Sequence, residues 1–293
     1  MQNIIGLPNF GNSCYFNSIM QLLKPIHDYI SNKTNNIEDL LPYYESYYNQ
    51  DKLLEMYVKI MKKLNSNGEQ QDAGEALLDI IDKLNDKYKF FNTIYNNVIR
   101  CNNCKVFRLS ERNDNNTILS TTELNFLKED ITFKRLLSCL LKSEINNEQS
   151  LINLFREDNK CKCLTNNLTI QMVLVDLPEI LLINIGRYNN LTNIKNTSNL
   201  TISRYLQITT PKNLNDKLLN LDNTDINNEY ELYGIILHLG NSMNSGHYIA
   251  YTKNYYTNKW YSCNDYSINE LEELDINSDI LKKNSYILLY MKV

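Results

Sequence analysis

The sequence predicts an α+β fold, with helices gathered early in the chain and strands late. Three observations carry that prediction. Apolar residues between positions 15 and 90 recur at every third and fourth place, as in Leu53-Leu54, Tyr57, Ile60-Met61 and Leu64, then Ala76-Leu77, Ile80-Ile81 and Leu84. From Ile170 onward the pattern turns to short β-rich runs bounded by turn residues. No Pro/Gly-rich linker and no internal repeat interrupts the 293 residues, so the chain reads as one domain: a helical part over 1–90, a mixed part over 91–170 and a strand-rich part over 171–293.

Taken in order, the first helix starts just after Gly6, Pro8, Gly11 and Asn12, which break regular structure. Phe16, Ile19, Met20, Leu22 and Leu23 then form its apolar stripe, and its end is expected near Lys24-Pro25, where His27 has no supporting context. After Cys104 the pattern shortens to β-ribbons with a small helix around Phe133 to Leu141. Strands are expected at Ile170–Val175, Ile180–Ile185, Tyr230–His238, His247–Lys253, Lys259–Cys263 and Tyr286–Met291. The asparagine tracts at Asn113–Asn116, Asn189–Asn199 and Asn223–Asn228 read as loops.

Chemistry concentrates at two distant places. Cys14 falls where a loop enters a helix, and unpaired N–H groups and the macrodipole there favour a thiolate. His247 follows the turn Asn241–Gly246 and opens a strand. A cysteine nucleophile needs a base, and the base needs a third group that accepts from its other ring nitrogen. Asn264 or Asp265, on the neighbouring strand, can supply that group. A carboxamide orients an imidazole, whereas a carboxylate would also stabilise its charged form. The oxyanion formed on attack needs fixed donors, for which Asn9, the amide of Cys14 and Asn12 are candidates. His238 lies within an apolar run and reads as a core histidine.

These boxes resemble the ubiquitin-specific proteases, papain-like deubiquitinases likened to a hand with a helical thumb, an antiparallel β palm and β fingers. The resemblance covers nearly the whole chain: a cysteine box from Gly6 to Gln21, a glutamine–aspartate helix at Gln70–Leu78, a palm strand at Leu177–Tyr188 and a histidine box from Tyr230 to Tyr266. It implies Cys14 as nucleophile, His247 as base, Asn264 at the third catalytic position with Asp265 at the acidic position after it, and Asn9 as oxyanion donor. Asp72, Glu75 and Tyr248 match residues that line the channel for ubiquitin's basic tail; a carboxylate is what an arginine-bearing tail selects. Read without the family, Asp72 and Glu75 form an ordinary acidic cluster at a helix N-terminus. The segment Asn241–Ser245 resembles a loop that flanks the cleft.

Four further cysteines bear on the fingers. Cys101 and Cys104 are separated by two residues, and Cys161 and Cys163 by one. Two such pairs make a closed tetrahedral zinc site. The family's fingers often carry one formed from two two-residue-spaced pairs, so the Cys161/Cys163 spacing departs from the pattern, and four reduced thiols are the alternative. Catalysis itself would need no cofactor. Cys139 and Cys263 read as core.

Composition excludes other classes. A net charge of −4 does not invite nucleic acid or an anionic membrane surface. No stretch reaches the ~18 apolar residues of a membrane span. The first residues, Met1 to Gly6, lack a signal peptide's basic and apolar regions. The expectation is an intracellular protein, cytoplasmic and/or nuclear, acting as a monomer on ubiquitin or ubiquitinated proteins. The same boxes leave open a catalytically silent ubiquitin-binding module, or the same chemistry on another ubiquitin-like modifier.

Overall fold

The computed structural model describes residues 4–33, 49–63, 70–85, 90–109, 114–116, 118–120, 131–132, 142–145, 163, 168–188, 192, 194–219, 224–242 and 245–293. The helical part contains α1 (Cys14–Lys33), α2 (Gln50–Lys63) and α3 (Ala73–Asn85). It is followed by β1 (Thr93–Cys101), β2 (Phe107–Leu109), β3 (Asp114–Asn116), β4 (Ile118–Ser120), β5 (Ile131–Thr132), β6 (Lys142–Ile145) and β7 (Leu168–Asp176). Next come β8 (Ile180–Asn184), β9 (Leu200–Thr201), β10 (Tyr205–Pro211), α4 (Leu214–Leu218) and β11 (Asp225–Ser242). The chain closes with β12 (Ser245–Lys253), β13 (Trp260–Asn264), β14 (Ser267–Leu271), α5 (Asp279–Asn284) and β15 (Ser285–Lys292).

Among the described residues the large sheet runs β14-β13-β12-β11-β15-β8-β4, with β10 paired to β11. Its central strands are apolar on both faces. Ile236, Ile287 and Leu289 pack with Phe16, Ile19, Met20 and Leu23 of α1, while Ile235, Leu237, Leu288 and Tyr290 pack on the other side with Leu181, Ile183 and Trp260. Helix α1 lies close on β11: a Cβ at Gly234 would come 2.5 Å from Leu22 Cδ1. The second sheet, β2-β1-β7-β6 with β3 on β1, forms the fingers. No helix among the described residues is long and apolar enough to cross a membrane.

Several expectations need correction. The first helix does not stop at Pro25; it runs through it to Lys33, with Ile26 and Ile30 buried in the same core, so burial of the apolar stripe outweighs the lost backbone bond. The asparagine tracts at 113–116 and 223–228 are not simply loops. Residues 114–116 pair with β1, and β11 already begins at Asp225. Asn228 is buried there, where its amide donates to the Ile208 carbonyl at 3.2 Å and to Thr210 Oγ1 at 3.2 Å, so a polar side chain fits a strand by satisfying its neighbours. Strands β1, β10 and β14 were not anticipated. The expected helix at Phe133–Leu141, with Cys139, lies outside the described residues, as do Met243 and Asn244 of the cleft-flanking loop.

Candidate active site

The loop before α1 is closed around one side chain. Asn9 Oδ1 accepts from the backbone of Gly11 at 3.0 Å and of Ser13 at 3.3 Å, and from Ser13 Oγ at 3.2 Å. Gly11 and Asn12 make the turn in the left-handed region, at φ 86° and 52°, which glycine and asparagine tolerate best. Asn12 is thus placed as an exposed turn residue. The same loop is pinned to the β13–β14 turn: Leu7 N donates to Asp265 O at 2.9 Å, and a Cβ at Gly6 would come 2.0 Å from Tyr266 O. Cys14, the first residue of α1, is buried as a result.

The turn itself separates the two candidates for the third position. Asn264 Oδ1 lies 2.6 Å from His247 Nε2. An amide oxygen only accepts, so Nε2 carries the proton and Nδ1 remains the basic nitrogen. Asp265, at φ 47°, turns the other way. Its carboxylate accepts from Asn9 Nδ2 at 2.9 Å and from Asn17 Nδ2 at 2.8 Å. Asn17 sits one turn along α1 from Cys14 and also donates to the Pro8 carbonyl at 3.2 Å, a contact that sequence reasoning missed although it lies within the cysteine box.

Strand β12 carries the histidine, and its backbone runs past the cysteine. His247 stands opposite Leu239 and Tyr248 opposite His238 in the β11–β12 ladder, and the backbone amide of Tyr248 donates to the Cys14 thiol. Burial pushes the thiol up from its ordinary value and the Asp265 charge adds to this, against the amides of Tyr248, Tyr15 and Cys14, which pull it down. Desolvation at this buried position works against the helix N-terminus, which favours the charged form. His238 is wholly buried, as expected of a core residue. Its ring lies 4.4 Å from that of Tyr248, Tyr188 Oη bonds to Nδ1, and burial lowers its pKa to about 4. Gly246 is required at its position, since a Cβ there would approach His238 Nε2 to 2.4 Å.

Across the cleft, Asp72 caps α3. Its Oδ1 accepts from Gly74 N at 2.8 Å and Glu75 N at 3.0 Å, while Oδ2 accepts from Tyr286 Oη at 2.6 Å and Tyr248 Oη at 3.3 Å. Glu75 is exposed on the first turn. Tyr248 is buried, with only its hydroxyl side turned to the cleft wall at Asp72. Gln70 Nε2 donates to the Gly246 carbonyl at 3.1 Å and so joins this wall to the histidine turn.

In the fingers, Cys101, Cys104 and Cys163 bring their sulfurs within 4.8 Å of one another; Cys161 lies outside the described residues. The turn Cys101–Lys105 is closed by Lys105 N to Cys101 O and Cys101 N to Val106 O, both 2.9 Å. The Cys163 thiol is pushed up to about 12, first by its contact with Cys104, then by burial and by Cys101. Three sulfurs at this spacing suit a tetrahedral ion with Zn–S bonds of ~2.3 Å.

The chain matches the family model described as "Ubiquitin carboxyl-terminal hydrolase" over residues 5–290. It is 25% identical to Arabidopsis thaliana ubiquitin carboxyl-terminal hydrolase 25 over 98% of its own length and 47% of the relative's. Against Arabidopsis thaliana ubiquitin carboxyl-terminal hydrolase 4 it is 23% identical over 99% of its length and 93% of that protein's. It therefore spans about half of one of these relatives and nearly all of the other. Among solved structures, the SAGA Ubp8/Sgf11/Sus1/Sgf73 DUB module bound to ubiquitin aldehyde superposes with a TM-score of 0.73 at 21% identity, covering 99% of this chain and 70% of that one. The module bound to monoubiquitin gives 0.75 at 21% identity, covering 99% and 69%. These likenesses establish the fold.

Proposed function

Because the chain belongs to the ubiquitin carboxyl-terminal hydrolase family, the cysteine-type deubiquitinases, we propose that it hydrolyses the peptide or isopeptide bond after the C-terminal glycine of ubiquitin through a thioester on Cys14. The observation that carries this reading is the 2.6 Å His247–Asn264 bond on a strand whose next amide reaches the Cys14 thiol.

Cys14 Sγ attacks the glycine carbonyl carbon while its proton passes to His247 Nδ1 as the general base. The tetrahedral oxyanion is held by the Cys14 amide and by Asn9. The Asn9 Nδ2 group has two protons, and Asp265 takes one, which fixes the direction of the other. Collapse expels the lysine amine, which takes the proton from His247. Water, deprotonated by the same imidazole, then attacks the thioester and releases ubiquitin with a free carboxylate and the thiol restored. Asn264 keeps the imidazole in the useful tautomer throughout. Asn12 shapes the loop in this scheme, and Glu75, Asp72 and Tyr248 form the wall that the tail passes.

Substrates are then ubiquitin-conjugated proteins and the working unit is one chain. Cys101, Cys104, Cys161 and Cys163 would hold a structural zinc that stiffens the fingers, remote from the chemistry. The test is cleavage of isopeptide-linked ubiquitin by wild type and Cys14→Ala, beside conjugates of other ubiquitin-like modifiers. Cleavage of ubiquitin alone, lost in the variant, supports the reading. Cleavage only of another modifier moves the substrate, and ubiquitin binding with no cleavage makes the protein a silent module.

A further inference from the structure

We infer that Tyr286 is a positioning residue for the cleft: with Tyr248 it clips Asp72, and with it α3, onto the palm, and Asp72 acts through this placement and not as a free carboxylate. The inference rests on the proposed passage of a ubiquitin tail between α3 and β12.

A carboxylate offers about four acceptor sites. Those of Asp72 are all used: two by the amides of its own helix turn, two by tyrosine hydroxyls from β12 and β15. The shortest of the four is the bond from Tyr286, at 2.6 Å, and it crosses from palm to thumb. Its donor is held rigidly. Tyr286 O accepts from Ile185 N at 2.8 Å, and the preceding carbonyl of Ser285 accepts from Arg187 Nε at 2.6 Å. The wholly buried Arg187 also donates to the carbonyls of Asn196, Ser198 and Lys282, so it ties the α5–β15 junction to the segment 196–198. The Tyr286 ring stands 5.9 Å from that of Tyr188 and 6.2 Å from that of Tyr248, within a buried aromatic box completed by His238. Burial and the Asp72 charge both push the Tyr286 phenol upward, so it remains a donor. Among the described residues Glu75 has no comparable engagement; exposed on the first turn of α3, it is the natural partner for a basic tail.

The clip and a direct contact predict different kinetics. KM and kcat would be measured on a fluorogenic C-terminal amide of ubiquitin, and on the same substrate with its tail arginines replaced by glutamine. Tyr286→Phe should raise KM about ten-fold on both substrates with kcat held within about two-fold, the size expected for one bond to a charged acceptor. Asp72→Ala should cost more, equally on both, and Tyr286→Phe should add nothing to it. Glu75→Gln should raise KM only for the basic tail. An unchanged KM in Tyr286→Phe, or an Asp72→Ala loss that disappears with the neutral tail, overturns the inference. If wild type turns over no ubiquitin substrate, the proposed function fails separately. The Asp72/Tyr286 double-mutant cycle on urea unfolding still decides the clip: coupling upholds it, and additivity overturns it.

Discussion

The catalytic cleft and the fingers each hold cysteine sulfur, and they hold it in opposite ways. Around Cys14 the protein's own groups do all the holding: Asn9, Ser13, Asn17 and Asp265 close the loop, and the thiol sits against the main core. Around Cys101, Cys104 and Cys163 the support is a small cluster of Ile99 and Leu168 with Val106 and Ile170 packed on it, and Cys104 stays exposed. A reacting thiol must be placed before its substrate arrives, whereas a structural cluster can be completed by the ion it binds. The difference teaches that damage to the cysteine loop should abolish chemistry, while loss of an ion held by the fingers would loosen the fingers alone.

The comparison breaks most sharply at Gly6. Its Cβ would meet the Tyr266 carbonyl at 2.0 Å, so Gly6→Ala must lift the cysteine loop off the β13–β14 turn. Turnover should fall more than a hundred-fold and unfolding free energy by about 3 kcal/mol, measured by ubiquitin-amide hydrolysis and urea titration. Near-normal turnover would show that the loop is not held as described. Next in size is Asp265→Asn, which weakens the hold on Asn9 and Asn17. A drop in kcat of about a hundred-fold with little change in KM is expected, because the oxyanion donor acts in the transition state. An equal or larger effect on KM would move Asp265 to the binding surface.

Metal comes third. Elemental analysis should find about one zinc per chain, lost in Cys101→Ser. Hydrogen exchange in β1, β2 and β7 should then quicken while the alkylation rate of Cys14 stays the same; coupled loss at Cys14 would contradict the separation of the two regions. The smallest effect is on pH. Burial and the Asp265 charge raise the Cys14 thiol, so alkylation of the free protein should climb through a midpoint above the ordinary cysteine value of ~8.5. Asp265→Asn should shift that midpoint downward. A wild-type midpoint well below neutrality would mean a preformed thiolate.

What was legible in the sequence follows the same division. The thumb and palm could be read because their signals are local: helical period in α1, strand alternation from Ile170, and turn residues flanking Cys14 and His247. The pairing of Asn264 with His247 could be narrowed to two neighbours but not decided, since the left-handed turn at Asp265 is a tertiary matter. Asn17 and Tyr286 went unseen for the same reason, as each works through a partner more than two hundred residues away in the chain. Strand β1 was missed because its asparagines, Asn96 and Asn97, mask a strand that is fixed by pairing with β7.

The central claim is that Cys14 is the nucleophile, and its most direct test is covalent trapping. Wild-type protein would be mixed with ubiquitin bearing a C-terminal electrophile, weighed intact by mass spectrometry and mapped by peptide digestion. The account predicts one ubiquitin per chain, attached at Cys14, and no adduct in His247→Ala at neutral pH. Attachment at Cys104 or Cys163, or no adduct with wild type that binds ubiquitin, would contradict it.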